Sequence, residues 1–178
     1  MSSHPVLLFD TELISPHVQS ALPNGYLLRP LSSEDYDKGF LDTLNVLTVV
    51  GNLSKAEFLE RFAYLKRHNH EYFTLVIENA QGRIVAAGTI FLERKFVHHL
   101  GLVGHIEDIA VDKNQQGKKF GFRIIDALKY VGTKLGCYKI ILDCSEKNVP
   151  FYEKCGFKKK EVEMAYYIPE NDKPKSKL

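Results

Sequence analysis

A chain of 178 residues, 44% of them hydrophobic, is long enough for one domain with a sizeable core. Its 24 basic residues nearly balance 22 acidic ones, and the formal charge of +2 gives no electrostatic case for a nucleic-acid partner. No run approaches the roughly 18 apolar residues of a membrane helix, and no charged-then-apolar segment opens the chain, so neither a membrane nor export by a standard signal is expected.

Residues 1–24 mix short apolar pieces with Pro5, Pro16 and Pro23, which predicts an extension packed loosely ahead of the domain. Tyr26 to Arg29 reads as a first strand. Ser32 and Ser33 before Glu34 and Asp35 form a helix N-cap signal, and Phe40, Leu41, Leu44 and Leu47 continue it at helical spacing to near Gly51. Ser54 with Glu57 makes a capping box for a second helix, whose expected buried stripe is Phe58, Leu59, Phe62 and Leu65 and whose end is His68-Asn69-His70. Phe73 to Glu78 and Ile84 to Leu92 flank the turn-prone Asn79-Ala80-Gln81-Gly82 and predict a hairpin, its second arm long enough to be central. Glu93 to Gly101 is a charged connection. His98, His99 and His105 lie close in sequence, but neighbouring residues of an extended segment point apart, so no metal site is expected.

Gly104 to Val111 reads as a strand running through Asp112-Lys113-Asn114-Gln115-Gln116-Gly117-Lys118-Lys119-Phe120-Gly121 into a helix that carries Ile125, Leu128, Val131 and Leu135. The first amides of such a helix have no internal acceptor and, with the helix dipole, attract phosphate oxygens. Lys118 and Lys119 add positive charge there. Glu107 and Asp108 sit inside the strand, where alternation points them to opposite faces and puts at least one near the core. Carboxylates are costly there unless partnered or used. A strand bearing acids that runs into a phosphate-cradling turn fits transfer chemistry on a phosphorylated cofactor.

Cys137 to Asp143 follows as another strand, with Lys139, Ile141 and Asp143 on one face and Tyr138, Ile140 and Leu142 on the other. Asn148-Val149-Pro150-Phe151-Tyr152-Glu153-Lys154-Cys155-Gly156-Phe157 comes next, and Val162 to Ile168 is the expected last strand. The three cysteines, Cys137, Cys144 and Cys155, show no CxxC spacing and are expected as reduced thiols, Cys155 in a packing role.

Five phrases in order carry a resemblance: Thr43 to Gly51, Glu93-Arg94-Lys95, Gly104 to Val111, Gly136 to Asp143, and Glu146 to Phe157. Together they resemble the GNAT superfamily of acetyl-CoA-dependent N-acetyltransferases and, within it, the eukaryotic glucosamine 6-phosphate N-acetyltransferases. The resemblance implies an α/β (α+β) fold with a mixed, mostly antiparallel central sheet flanked by helices and a splayed pair of parallel strands, over residues 25–168. It implies acetyl-CoA as co-substrate, no metal, glucosamine 6-phosphate as acceptor, and a homodimer whose last strand crosses to the partner.

By the same resemblance, Ile109, Ala110 and Val111 offer backbone groups to the pantetheine arm, and Gln116, Gly117, Lys118, Lys119, Phe120, Gly121 and Phe122 hold the pyrophosphate. Asn148, Tyr152 and Lys154 are further cofactor contacts, with the Tyr152 phenol stabilising the leaving thiolate. Glu107, Asp108 and Asp143 are the candidate bases. The substrate set is Thr48, Lys95, Phe96, Val97, His98, Tyr138 and Lys139 together with those three acids. Two departures stand out. Lys119 occupies a position where the family loop has glycine, and Ala165-Tyr166-Tyr167-Ile168 lacks the arginine that relatives carry beyond the position of Met164. Acetylation of a protein or polyamine amine, or a non-catalytic acetyl-CoA-binding role, are the alternative readings.

Pro169 to Leu178 is polar and proline-bearing, a tail that ends in Ser176-Lys177-Leu178. A free C-terminal tripeptide of this kind is read by a peroxisome-type import receptor, so the expected location is a peroxisome or glycosome, and otherwise the cytoplasm.

Overall fold

The computed structural model describes residues 5–169. They form two compact units that divide between Leu142 and Asp143. The first holds one sheet of five strands, β1 (Leu27–Pro30), β2 (Tyr72–Glu78), β3 (Ile84–Arg94), β4 (Leu102–Val111) and β5 (Cys137–Ile141), ordered as numbered. Every neighbouring pair is antiparallel except β4 and β5, which run parallel. A parallel pair needs a crossover, and α5 (Phe120–Lys134) supplies it, after α1 (Pro16–Ser20), α2 (Phe40–Leu44), α3 (Lys55–Arg67) and the short turn α4 (Val97–Leu100).

Apolar residues at spacings of one, three and four give α5 its buried face: Phe120, Ile124, Ile125, Leu128 and Val131 are all at or below 1% exposure. They pack against β2, β3 and β4. Each such side chain contributes about 1.5–3 kcal/mol by leaving water. The central strand β3 permits this approach because residue 88 is glycine. A Cβ there would lie 2.4 Å from Ile124 Cγ2 and 2.6 Å from Ile109 Cδ1, closer than packed atoms sit.

Four expectations are corrected. Residues 5–24 are not loosely packed: Leu8, Phe9 and Val18 are buried, Leu7 bridges to Ser32, and the Lys66 ammonium donates to the carbonyls of Leu7 and Leu8. The first helix is only α2, because its N-cap signal is used elsewhere. The buried Asp35 carboxylate accepts from the Ser32 amide and pairs bidentately with Arg29, holding residues 33–39 in turns until Gly39 (φ 82°) opens the helix. The capping box on Ser54 and Glu57 does form, yet only Phe58 and Phe62 of the expected stripe are buried, and Leu59 is exposed. Val162 to Ile168 has no strand, and Val162, Met164, Tyr166 and Tyr167 are each more than 80% exposed.

The second unit contains a 3-10 turn (Glu146–Asn148) leading into α6 (Val149–Lys154). Pro150 fits the first turn, where no amide donor is needed. At the other end Gly156 (φ 89°) lets the Phe157 amide reach the Tyr152 carbonyl at 3.0 Å and its own amide reach Glu153 at 2.9 Å. That is a Schellman stop, and it accounts for the sequence Cys155-Gly156-Phe157.

Candidate active site

The expected splaying of the parallel pair is visible in the hydrogen-bond register. Parallel pairing of β4 with β5 runs from Leu102 opposite Cys137 to His105 opposite Ile141 and stops there, leaving Ile106 to Val111 paired only with β3. β5 itself ends at Ile141, short of the expected Asp143. Where the two strands part, β4 bulges. Glu107 pairs with Thr89 and Ala110 with Ala87, so three steps on β4 oppose two on β3. Asp108 takes the positive φ of 55° that absorbs the extra residue. The bulge breaks the alternation assumed from sequence. Neither acid is near the core: Glu107 and Asp108 are both exposed, beside backbone groups that β5 does not cover.

Past Val111, Asp112 caps the 3-10 turn Lys113–Gln115 by accepting from the Asn114 amide. Gly117 (φ 85°) and Lys119 (φ 62°) then turn the chain into α5, which begins at Phe120 and not after Gly121 as expected. The first amide bonded within the helix is that of Arg123, to the Lys119 carbonyl at 3.0 Å. The amides of Phe120, Gly121 and Phe122 precede it and have no intrahelical acceptor. Lys119 thus stands in the conformation that glycine adopts without strain, and its side chain is exposed. The Phe120 ring is buried, so only its backbone is available to a ligand.

Lys118 carries a feature that sequence reasoning missed. Its ammonium donates to the Tyr26 hydroxyl oxygen at 2.8 Å and to Gln115 Oε1 at 2.7 Å, while the Tyr26 hydroxyl donates to the same Oε1 at 3.0 Å. The Tyr26 ring lies 4.8 Å from that of Phe120. Ninety-two positions separate Tyr26 from Lys118, and no local pattern links them.

Of the expected substrate residues, Lys95, Phe96, Val97, His98, Tyr138 and Lys139 lie at the Arg94 end of β3, whereas Thr48, Glu107 and Asp108 do not join them there and Asp143 is part of the second unit. His98 on α4 stacks on Tyr138 of β5 at 4.3 Å, with Gly101 tucked against that ring, and the Lys95 amide bonds to the Gly101 carbonyl at 2.9 Å. His98, His99 and Leu100 all have positive φ, an uncommon left-handed run. Phe96 and Val97 are exposed, as are Lys139 and, beyond α2, Thr48. Glu93 and His105 were not anticipated. The Lys95 ammonium donates to Glu93 Oε1 at 2.6 Å, and His105 Nε2 lies 3.0 Å from Glu93 Oε2 with its ring stacked on Phe91. Those two hydrogen bonds, Lys95 first, hold the Glu93 carboxyl below its ordinary value. Residues 93 and 95 share a strand face, a hint that only the register of β4 turns into a cluster with His105.

Asp143, Asn148, Tyr152 and Lys154 belong to the second unit. Tyr152 is half-buried, edge-on to Phe151 at 5.0 Å and to Phe157 at 6.2 Å, and the other three are exposed. Of the cysteines, Cys155 is 2% exposed, Cys137 is half-buried and Cys144 is open to solvent.

Among the described residues one strand pair is parallel, it parts beside a strand bulge, and a glycine-bearing turn follows into α5; this is the arrangement expected of an acyltransferase of the GNAT type. The comparisons agree. The family model described as Acetyltransferase (GNAT) family matches residues 36–157. The chain is 46% identical over 153 residues to glucosamine 6-phosphate N-acetyltransferase 1 of Dictyostelium discoideum, covering 85% of this chain and 97% of that one. It is 50% identical over 143 residues to the glucosamine 6-phosphate N-acetyltransferase of Candida albicans, covering 80% and 96%. The crystal structure of the Arabidopsis thaliana glucosamine-6-phosphate N-acetyltransferase superposes with a TM-score of 0.79 at 39% identity, over 81% of this chain and 99% of that one. The chain belongs to the GNAT acetyltransferase family and, within it, to the glucosamine 6-phosphate N-acetyltransferases.

Proposed function

We propose that this enzyme transfers the acetyl group of acetyl-CoA to the amine of D-glucosamine 6-phosphate, releasing N-acetyl-D-glucosamine 6-phosphate and CoA. The observation that carries the reading is the parting of β4 from β5 after His105, beside two exposed acids at a bulge. The uncovered edge of Ile109, Ala110 and Val111 suits the amide-bearing pantetheine arm, and the start of α5 suits the pyrophosphate.

The chemistry is direct attack. The sugar amine, next to an electron-withdrawing anomeric carbon, is a weaker base than a lysine and needs only a modest acceptor for its proton. Glu107, Asp108 and Asp143 are the candidates, acting directly or through water. The neutral nitrogen attacks the thioester carbon, the C–N bond forms, and the C–S bond breaks as the tetrahedral intermediate collapses. One proton leaves nitrogen and one reaches sulfur. Tyr152 is our choice to deliver the latter, and unchanged turnover in Tyr152→Phe would remove the phenol from the chemistry. Lys95, His98, Tyr138 and Lys139 form the sugar-phosphate side, with Thr48.

The product is a precursor of UDP-N-acetylglucosamine, and we assign the enzyme to that synthesis. The exposed, unpaired Val162 to Ile168 supports a homodimer in which this segment pairs with a second copy; sedimentation as a monomer at assay concentration would contradict it. The tripeptide Ser176-Lys177-Leu178 lies outside the described residues. We retain it as an organelle import signal, to be tested by imaging full-length and Leu178-deleted proteins, and identical diffuse distributions would sink it.

The primary test is release of CoA thiol from acetyl-CoA with glucosamine 6-phosphate, glucosamine, spermidine and a lysine peptide offered in parallel. Rapid release with the sugar phosphate alone is expected. Release only with another amine would mean that the fold and cofactor site are kept while the acceptor site has changed.

A further inference from the structure

A lysine beside a phosphate-binding turn usually lies in one of two states: loose in water, or paired with a carboxylate that cancels its charge. Lys118 is in neither. Both of its oxygen partners, the Tyr26 hydroxyl and the Gln115 amide, are uncharged, so they fix the ammonium without neutralising it. Tyr26 is itself immobilised: its ring is against Phe120, its amide bonds to the Pro23 carbonyl, and its carbonyl accepts from the Gln19 side chain at 3.2 Å. Gln115 closes the triangle through its bond from the Tyr26 hydroxyl.

Resting on the acetyl-CoA reading above, we infer that Tyr26 and Gln115 are positioning residues that hold the charged Lys118 ready to receive a phosphate of the cofactor. Ordering a four-carbon side chain ahead of binding moves its entropy cost out of the binding step. The turn Gln116 to Lys119 is therefore braced from outside itself, by a tyrosine that precedes the first strand. The ligand chemistry is a phosphate on coenzyme A, and its source is either the diphosphate or the 3′-phosphate.

The test uses the full-length enzyme and steady-state kinetics. Tyr26→Phe keeps the ring and removes only the hydroxyl; it should raise KM for acetyl-CoA about threefold to tenfold, the net worth of one typical hydrogen bond, with kcat unchanged. Lys118→Met should raise KM about tenfold or more, and adding Tyr26→Phe to it should change nothing further. An unchanged KM in Tyr26→Phe, or a tyrosine effect that survives in the Lys118→Met background, overturns the inference. A purely structural contact would instead lower the melting temperature and persist in that background. Calorimetry with CoA and 3′-dephospho-CoA distinguishes the sources. Loss of the Lys118→Met effect with the dephospho form assigns the 3′-phosphate, and persistence assigns the diphosphate; either outcome supports the inference. Wild-type protein that binds no CoA at all would overturn the acetyltransferase reading and this inference together, a result unlike any of the variant failures.

Discussion

A left-handed backbone at Lys119 costs about 1–2 kcal/mol that glycine would not incur, and the chain carries that strain at φ 62° in the turn entering α5. Two substitutions separate backbone from charge. Lys119→Gly is expected to raise the melting temperature by a few degrees, read by thermal denaturation. Lys119→Glu keeps the strain and reverses the charge, so KM for acetyl-CoA should rise about tenfold at low salt, with a smaller effect as salt screens the site. An unchanged KM would mean that the side chain stays clear of the cofactor. At this scale the sequence was informative where a residue's conformation is announced by its neighbours, as for Gly117 in the turn and Gly156 at the end of α6. It was silent for Tyr26, Gln115, Glu93 and His105, whose roles depend on partners brought together only by strand register or chain return.

Elements show where local rules give way to tertiary demand. The alternation of β4 predicted one acid in the core, but the bulge at Asp108 turns both to the surface. Nothing in the sequence flags it, because aspartate tolerates a positive φ and no glycine marks the spot. The glycine is across the ladder, at Gly88. Gly88→Ala is expected to cost about 1–3 kcal/mol by overpacking, measured by denaturant unfolding. Removing the Cδ1 that would lie 2.6 Å from the new methyl, in Ile109→Val, should make the double variant less unstable than the sum of the two singles. Strict additivity would show that the methyl is accommodated some other way. The hairpin, the second helix and α5 were legible because their signals are local: a turn tetrad, a capping box and an apolar stripe. The last strand was not, because Val162 to Ile168 has a strand-forming pattern, yet pattern alone does not supply a pairing partner, and the segment joins none of the sheet's ladders.

At the scale of the molecule, one ionic cluster ties the first strand to the hairpin. Arg29 binds Asp35 through two nitrogens and Glu78 through Nε at 2.7 Å, and Lys38 adds a contact to Glu78 at 3.1 Å. Burial pushes the Glu78 carboxyl up, but the hydrogen bond and charge of Arg29, followed by those of Lys38, outweigh it and hold it below the ordinary 4.5. A carboxyl depressed in the folded state stabilises fully above its unfolded value and loses that contribution as pH falls through the folded value. Acid unfolding should therefore steepen below pH 4.5, and Glu78→Gln should flatten that limb in melts recorded from pH 6 to 3. The cysteines have a consequence for anyone who follows this enzyme with a thiol dye. Cys144 is open to solvent, Cys155 is 2% exposed, and burial raises the Cys137 thiol. A disulfide reagent added to native enzyme without any substrate should give one fast equivalent of colour per chain, and Cys144→Ser should abolish it. In a colorimetric assay the protein would count itself once before it counts any product, and that first equivalent gives the concentration of folded enzyme.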